Sequence, residues 1–434
     1  MLVYIFISRR SQYKQFYMRL TQPVSLSERS SILDVLRGIA LLGICVANYP
    51  VLSFFVFQPE SVKAQLPGNA FDHHIEVFHD MFIEGKFYSM FSLLFGIGFS
   101  IFLERGKKEG KSVTGTRIFL RRLFILMIFG LMHLLLLWEG DILMLYAVLG
   151  FLLPFFRNRS DRTLLICWLI LIFSPLLFDL VKVLSSGRLN LSNAVYDAGE
   201  AVANGYGITQ QNFFQWMPTH SEYVDVLKYN HSSFYFRWGY LLDGNRLPKV
   251  LGMFLLGLYA GRNAIYRRLE ENLLLLIRVR NYGYLIGIPA SVLMVVFRND
   301  AWRLPQAGGL LDTLAYALSV VPLSLAYTAT VCIWYRNERS RRRLNIFIAP
   351  GRMALTNYIA QTLLAVMIFY GIGFGWGAKV SLATSVAISF AVYIFLLAIS
   401  HIWLQYFNYG PLEWIWRQLT YGKRLPLVKQ RNRA

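Results

Sequence analysis

The chain has few charged residues for its length and very few cysteines. Only 16% of its 434 residues are charged, whereas 56% are hydrophobic. A soluble domain of this size needs a more polar surface, so the composition excludes an ordinary globular protein and predicts helices in lipid. The cysteines Cys45, Cys167 and Cys332 lie far apart in apolar runs. Their spacing predicts neither a disulfide framework nor a metal-binding knuckle.

The N-terminus lacks the pattern of a cleavable signal peptide. The apolar run in MLVYIFISRR is short, and its charges follow the run instead of preceding it. Met18 offers a second plausible start, so residues 1–17 are expected to be an extension or a misassigned start. The sequence also shows no convincing internal repeat, which disfavours a transporter built from two related halves.

Apolar stretches long enough, or nearly long enough, to cross a bilayer recur along the chain, and they predict an all-α bundle of about ten spans. They lie at about 32–57, 86–104, 117–138, 140–156, 163–184, 248–266, 281–298, 309–335, 350–373 and 379–408.

The net charge of +20 follows this pattern of spans. Of the 44 Lys and Arg, 32 fall on one side of the predicted membrane and 10 on the other. The positive-inside rule therefore predicts that both termini lie in the cytoplasm. Because the basic residues track topology, they do not indicate nucleic-acid binding.

The predicted organisation follows from these spans. It comprises a cytoplasmic N-terminal extension, two groups of five spans, an extracytoplasmic segment between the groups, and a cytoplasmic interfacial helix with a basic tail. The first group includes an outer interfacial helix at 71–85. The boundaries are 1–31, 32–184, 185–247, 248–408 and 409–434. The segment at 185–247 is expected to pack onto the bundle, and a lid is an alternative interpretation.

Polar residues at the outer ends of the spans form the first candidate site. His133 lies one turn before the outer end of the third span, and the connection WEGDIL places Asp141 just beyond it. An imidazole beside a carboxylate is the arrangement that a general base or proton relay needs. Asn48, at the outer end of the first span, is a further candidate to orient His133. A hydrogen-bonded packing histidine is the alternative, and no metal site is expected.

A second candidate group lies toward the cytoplasm. Asp34 and Arg37 are three residues apart in the first span and are expected to form an ion pair, whose role is either structural or functional. The ninth span carries a polar stripe that should not face lipid. It either bonds across the bundle or lines a cytoplasmic cavity. The predicted members of this inner group are Asp34, Arg37, Arg121, Arg122, Arg352, Asn357 and Gln361.

Several phrases resemble the signature blocks of the YeiB-like bacterial membrane proteins, domain of unknown function 418. They run in order along almost the whole chain: LDVLRGIALLGICVAN, KFYSMFSLLFGIGF, GLMHLLLLWEGDILMLYAVLG, GRMALTNYIAQT, FYGIGFG and GPLEWIWRQLTYGK. This resemblance implies a multi-pass protein of the bacterial inner membrane but no particular reaction.

The first span is also similar, more loosely, to the opening of integral-membrane acyltransferases. That resemblance implies an acyl-CoA donor bound from the cytoplasm and an extracytoplasmic hydroxyl or amine acceptor, on a glycan or a lipid. The reactive histidine of those enzymes lies on the outer approach to the second span, where this chain offers His73, His74 and His79 without the matching motif. The reactive residue is therefore open between these histidines and His133.

Three functional hypotheses follow. In the first, an acyltransferase binds the phosphates of acyl-CoA at the inner arginines and uses His133 near the outer end, because guanidinium groups bind phosphate well. In the second, the same polar residues line the path of a secondary transporter or proton-coupled permease. In the third, the protein is a membrane sensor or scaffold without chemistry. Membrane lipids are expected partners under all three.

Overall fold

A computed structural model of the protein describes residues 30–108, 112–297 and 303–429. In these ranges the chain is helical, and its one β pairing is an isolated bridge. The all-α prediction is therefore confirmed, while most of the predicted extension at 1–31 lies outside the described residues. The helices of the first half are α1 (Ser31–Leu52), α2 (Glu60–Lys63), α3 (Asp72–Phe82), α4 (Lys86–Lys108), α5 (Ser112–Leu136), α6 (Leu143–Gly150), α7 (Asp161–Leu184), α8 (Leu191–Gly205) and α9 (Phe213–Thr219).

The second half continues the helical pattern with shorter connections. Its helices are α10 (Tyr223–Asp243), α11 (Arg246–Arg262), α12 (Leu273–Val296), α13 (Gly309–Arg336), α14 (Glu338–Leu344), α15 (Ile348–Arg352), α16 (Ala354–Phe369), α17 (Leu382–Tyr406) and α18 (Pro411–Tyr421). Short 3₁₀ turns occupy Phe55–Phe57, Asn69–Phe71, Leu153–Phe156 and Asn345–Phe347.

Within the described ranges, seven helical segments are long and apolar enough to cross a membrane, and a bent pair, α14–α15 with α16, makes an eighth if it counts as one span. The prediction of several membrane spans is confirmed, but the count of ten is not. Eight spans would leave both termini on one side, whereas seven would not. The cytoplasmic placement of the termini stays a prediction.

Two of the predicted spans correspond to helices that are short and packed within the protein. The stretch at about 140–156 contains α6, which has only 8 residues and is about 12 Å long. The stretch at about 248–266 contains α11, whose 17 residues pack between α4 and α7. Hydropathy predicts burial in an apolar environment, and it does not distinguish lipid from neighbouring protein.

Small residues allow α4 and α11 to approach closely. Gly96 lies against the backbone of Phe254, and Gly257 lies against the carbonyl oxygen of Leu93, so a methyl group at either glycine would overlap main-chain atoms. Close contact through small residues is a common way to pack helices in membranes.

The break before α16 lets a carboxylate from another helix bind its first turn. The bent pair changes direction by 77° at this break. No side chain from within α16 caps its N-terminus. Instead, Oε1 of Glu413 on α18 accepts hydrogen bonds from the backbone amides of Leu355 (2.6 Å) and Thr356 (3.1 Å), and its Oε2 accepts one from the Thr356 hydroxyl (2.6 Å). These bonds satisfy amides that have no partner within the helix.

Helix α3 makes a similar contact elsewhere in the bundle. Asp72, at the start of α3, accepts hydrogen bonds from the backbone amides of Leu382 (3.2 Å) and Ala383 (2.9 Å) at the start of α17. Phe71 and Phe78 of the same region are exposed. The stretch at 71–85 is helical as α3, while its outer, interfacial position stays a prediction, and one of its carboxylates binds a helix that lies more than 300 positions later in the sequence.

The segment at 185–247 folds into α8, α9 and α10 and packs onto the bundle. The hydroxyl of Tyr223 donates to the carbonyl of Leu136 (2.7 Å), so α10 covers the end of α5. A buried ion pair between Lys182 and Asp179 (3.0 Å) anchors the other side, because Lys182 also donates to the backbone carbonyl of Asp243 at the end of α10 (2.7 Å).

Candidate functional site

His133 and Asp141 form a buried hydrogen-bonded pair. His133 lies near the end of α5, and Asp141 lies in the turn that leads to α6. The His133 Nδ1 atom is 2.9 Å from Oδ1 of Asp141, and each residue is only 2% exposed. The sequence prediction that an acidic residue of this turn lies beside His133 agrees with this geometry.

The second carboxylate oxygen of Asp141 holds the turn in place. Oδ2 accepts a hydrogen bond from the backbone amide of Met144 (2.6 Å) in the first turn of α6. Arg237 on α10 donates to the backbone carbonyl of Asp141 (2.8 Å). Since the carboxylate only accepts hydrogen bonds, it favours the tautomer of His133 in which Nδ1 carries the proton.

Thr362 on α16 completes a three-residue chain. Its hydroxyl is 3.0 Å from Nε2 of His133, and it is also 2% exposed. With Nδ1 protonated, Nε2 is the acceptor, so the Thr362 hydroxyl donates to it. The order carboxylate, imidazole, hydroxyl is the one that prepares a base in hydrolases and transferases of many folds.

The sequence analysis missed Thr362 because it followed a different face of α16. The predicted stripe included Asn357 and Gln361, whereas Thr362 and Tyr358 lie four residues apart and share the face toward α5. The ring centroids of Tyr358 and His133 are 5.1 Å apart, and those of Trp138 and His133 are 6.3 Å apart. The tyrosine–threonine pair at positions i and i+4 was the sequence signal that could have indicated this face of α16.

A cavity of about 980 Å³ adjoins this chain of residues. Its walls come from the second half of α1, the start of α4, the turn between α5 and α6, the segment at 185–247, the start of α11 and Tyr358 of α16. We call it the outer cavity, because the charge pattern predicts that this end is extracytoplasmic. Tyr358 and Trp138 line it and also contact His133, so these two rings separate the imidazole from the cavity. Asn48 lines the cavity too, while Asp141 orients the imidazole.

Charged side chains of both signs line the outer cavity. Arg246 is neutralised, because it bonds to Glu84 (2.9 Å). Glu139 has no cationic side chain within 4.0 Å in the described part of the chain, and Arg237 has no carboxylate within that distance. Burial raises the pKa of Glu139 from 4.5 to about 7, although Arg237 and Trp138 act in the opposite direction. Burial likewise lowers the pKa of Arg237.

The inner candidate residues are held in contacts between helices. Arg37 and Asp34 form the predicted ion pair, with 2.9 Å between Nη1 and Oδ1. Asn357 donates to the Ser400 hydroxyl of α17 (2.9 Å), and Gln361 donates to the Leu41 carbonyl of α1 (3.4 Å). The sequence left open whether the polar stripe bonds to Asp34 and Arg37 or lines a cytoplasmic cavity; these two amides bond across the bundle, but to Ser400 and Leu41 and not to that ion pair.

The inner arginines lie around α18 and the start of α16. The guanidinium of Arg122 stacks on the Trp416 ring at 4.0 Å, and Trp416 donates to the backbone carbonyl of Arg122 (3.0 Å). Arg352 donates to the carbonyl of Asn408 (3.2 Å), and Arg121 is exposed. Arg121, Arg122 and Arg352 thus lie near one helix, but the geometry does not assign a ligand to them. No group of three or more metal-ligating side chains converges in the residues that the structure describes.

The helices and the enclosed polar chain define a multi-pass α-helical membrane protein with a cavity beside a buried His–Asp pair. A family model described as "Protein of unknown function (DUF418)" matches residues 260–423. The chain is 33% identical over 429 residues to "Uncharacterized protein YxaH" of Bacillus subtilis (strain 168), an alignment that covers 95% of this chain and 99% of the relative. The chain belongs to the YeiB-like DUF418 family.

Two further relatives align over nearly their whole length. "Uncharacterized protein YeiB" of Escherichia coli (strain K12) is 28% identical over 429 residues, covering 94% of this chain and 100% of that protein. "Uncharacterized 39.9 kDa protein in amylase 3'region" of Bacillus acidopullulyticus is 26% identical over 421 residues, covering 94% and 99%. No solved structure matches the chain.

Proposed function

We propose that the protein is an integral-membrane acyltransferase of the bacterial inner membrane. It transfers an acyl group from a cytoplasmic coenzyme A thioester to a hydroxyl or amine acceptor bound in the outer cavity. The chain Asp141–His133–Thr362, which lies directly behind the cavity wall, is the observation that supports this proposal. A base near a cavity of this size is what activation of an acceptor requires.

In the proposed step the acceptor oxygen or nitrogen bonds to the thioester carbonyl carbon, and the carbon–sulfur bond breaks. His133 Nε2 takes the acceptor's proton and returns it to the departing sulfur, so that the products are the acylated acceptor and free coenzyme A. Asp141 stabilises the transient imidazolium. When no acceptor is present, the Thr362 hydroxyl donates its hydrogen bond to Nε2. The acceptor reaches this nitrogen past Tyr358 and Trp138, which line the cavity.

The donor side of the proposal involves the inner residues. Arg37, Arg121, Arg122 and Arg352 would bind the phosphates, since guanidinium groups form strong charge-assisted bonds to phosphate. The pantetheine arm would follow α16 past Asn357 and Gln361 toward His133. Both amides are bonded to neighbouring helices, so their contact with the donor requires an exchange of those bonds.

Calorimetry and a transfer assay test the proposal together. Purified protein is titrated with acetyl-CoA and with free coenzyme A, and reconstituted vesicles given labelled acetyl-CoA are analysed by mass spectrometry for acylated lipids and glycans. We expect binding of acetyl-CoA, and label transfer that His133→Asn abolishes. His401→Asn serves as the matched control, because His401 bonds to the Ile346 carbonyl far along the chain from this site. Absence of acyl-CoA binding would contradict the proposal.

A proton-coupled transporter is the second candidate, and the charged lining of the outer cavity favours it. Glu84, Glu139, Arg237 and Arg246 all line one cavity. Charged groups in such positions mark substrate and proton paths in membrane proteins. Solute flux into proteoliposomes that requires His133, without any acyl-CoA binding, would favour transport over acyl transfer.

A further inference from the structure

The outer cavity contains a carboxyl group and a guanidinium group that the protein does not neutralise. Arg237 donates only to the backbone carbonyls of Gly140 (3.4 Å) and Asp141 (2.8 Å), and it has no carboxylate within 4.0 Å among the described residues. Glu139 has no cationic side chain within 4.0 Å there, although Arg237 is near enough to lower its pKa, and its Oε2 atom has no hydrogen-bond donor. A charge held away from water without a partner is unfavourable, so such groups in membrane proteins generally serve a ligand.

The other charges of the same cavity are already engaged. Arg246 bonds to Glu84 at 2.9 Å and to the hydroxyl groups of Tyr240 and Tyr316, each at 2.6 Å. Glu200 is exposed and accepts a hydrogen bond from Gln210 (3.1 Å). Glu200 has no cationic partner either, but solvent reaches it at the rim, so the uncompensated groups inside the cavity are one potential anion, Glu139, and one potential cation, Arg237.

Aromatic and aliphatic side chains form much of the remaining lining. Trp138, Tyr229 and Phe236 are among them. Aromatic faces attract ammonium groups through cation–π interactions, and apolar walls accommodate an acyl or alkyl chain. Because the protein supplies both signs of charge, a purely anionic or purely cationic ligand would satisfy only half of the site.

We propose that the outer cavity binds a zwitterionic ligand, whose ammonium group contacts Glu139 and whose phosphate or carboxylate contacts Arg237, with an apolar portion against the aromatic walls. This inference rests on the proposed function, in which such a ligand is the acceptor: its ammonium gives one proton to the Glu139 carboxylate, and the resulting amine receives the acyl chain while His133 moves its second proton to the departing sulfur. Burial raises the pKa of Glu139 even though Arg237 acts to lower it, so the nearby guanidinium does not offset the loss of solvent around this carboxyl.

The test measures the affinity of the full-length protein, purified in an uncharged polyoxyethylene detergent, for four amphiphiles by calorimetry. The probes are lysophosphatidylethanolamine, which carries both charges, lysophosphatidylglycerol, which carries the phosphate alone, dodecylamine, which carries the ammonium alone, and dodecyl maltoside, which is neutral. We expect the first to bind at least tenfold more tightly than the others. Free phosphoethanolamine and alanine, added as a further arm, distinguish a soluble zwitterion from a lipid head group.

The variants assign this preference to the two groups. Glu139→Gln should remove the preference for lysophosphatidylethanolamine over lysophosphatidylglycerol while leaving the latter's affinity unchanged. Glu200→Gln is the matched control, because it makes the same substitution at the rim of the same cavity, and it should keep the preference. Equal affinities for all four probes, tighter binding of the maltoside, or an unchanged preference in Glu139→Gln would overturn the inference. If that variant does not fold, the wild-type probe series still decides.

Failure of this inference is distinguishable from failure of the proposed function. Zwitterion selectivity without acyl-CoA binding would retain the site and reject the acyltransferase. Acyl-CoA binding without zwitterion selectivity would retain the acyltransferase and reject this ligand class.

Discussion

Removing the Glu413 carboxylate should destabilise the protein by uncapping α16. Its two oxygens accept hydrogen bonds from two backbone amides and one hydroxyl at the start of that helix. Loss of an N-cap typically costs about 1 kcal/mol, and buried amides left without an acceptor add about 1–3 kcal/mol. We therefore expect Glu413→Ala to lower the free energy of unfolding by about 2–4 kcal/mol. Glu413→Gln should cost about 1 kcal/mol, because its amide oxygen still accepts.

The assay is thermal unfolding of detergent-solubilised protein, followed by intrinsic fluorescence. The Tm should decrease in the order wild type, Glu413→Gln, Glu413→Ala. Glu60→Ala is the control, because Glu60 makes only a surface ion pair with Lys63, and such pairs are worth about 0–1 kcal/mol. Limited trypsin digestion gives a second readout, since a detached α18 exposes Arg417 to cleavage. A Tm of Glu413→Ala equal to that of the control would refute the capping argument.

Three other predictions concern packing, buried charge and pH. Gly96→Leu should prevent folding or lower the Tm strongly, because its side chain would overlap the Phe254 backbone, and size-exclusion chromatography of a fluorescent fusion would detect the loss. Lys182→Met should destabilise by about 3–5 kcal/mol, since it leaves Asp179 buried without its cation, and thermal unfolding measures this. For Glu139, the raised pKa means that the folded carboxyl keeps a proton between pH 4.5 and about 7 that the unfolded one has released. Its contribution to stability therefore falls by about 3 kcal/mol as pH rises through that window and stays constant above it. Tm measured against pH should show this fall in the wild type and a smaller one in Glu139→Gln; equal slopes would contradict it.

The His–Asp pair was accessible from the sequence because its members are local. His133 ends one helix and Asp141 lies eight residues later in a tight turn, so their proximity follows from chain geometry. Thr362 was not accessible in this way, since it is 229 residues from His133 and its contact depends on how α16 is rotated against α5. Only the packed bundle defines that rotation.

The sequence was sufficient to predict the class of fold but not the number of membrane spans. Composition and apolar runs were sufficient to predict a helical membrane protein. They did not distinguish helices that cross the membrane from short apolar helices such as α6 and α11, which contact other helices, so the count of ten is not confirmed. The outer cavity also could not be predicted, since its walls combine Asn48 of α1, Arg237 of α10 and Tyr358 of α16. Arg237, a single arginine in an aromatic-rich stretch, was the one available signal for it.

The contacts of Asp72 and Glu413 have a consequence for the order in which the chain assembles during synthesis. Asp72 emerges from the ribosome long before α17, so the first turn of α17 finds its acceptor already in place. Glu413 emerges after α16, so the first amides of α16 have no carboxylate acceptor until the final part of the chain is made. The bent helix pair that carries Thr362 can therefore reach its final geometry only once α18 has been made. A ribosome that stalled before residue 411 would leave a chain whose transmembrane helices are complete. Thr362, the hydroxyl partner of His133, would not yet be held in its final position.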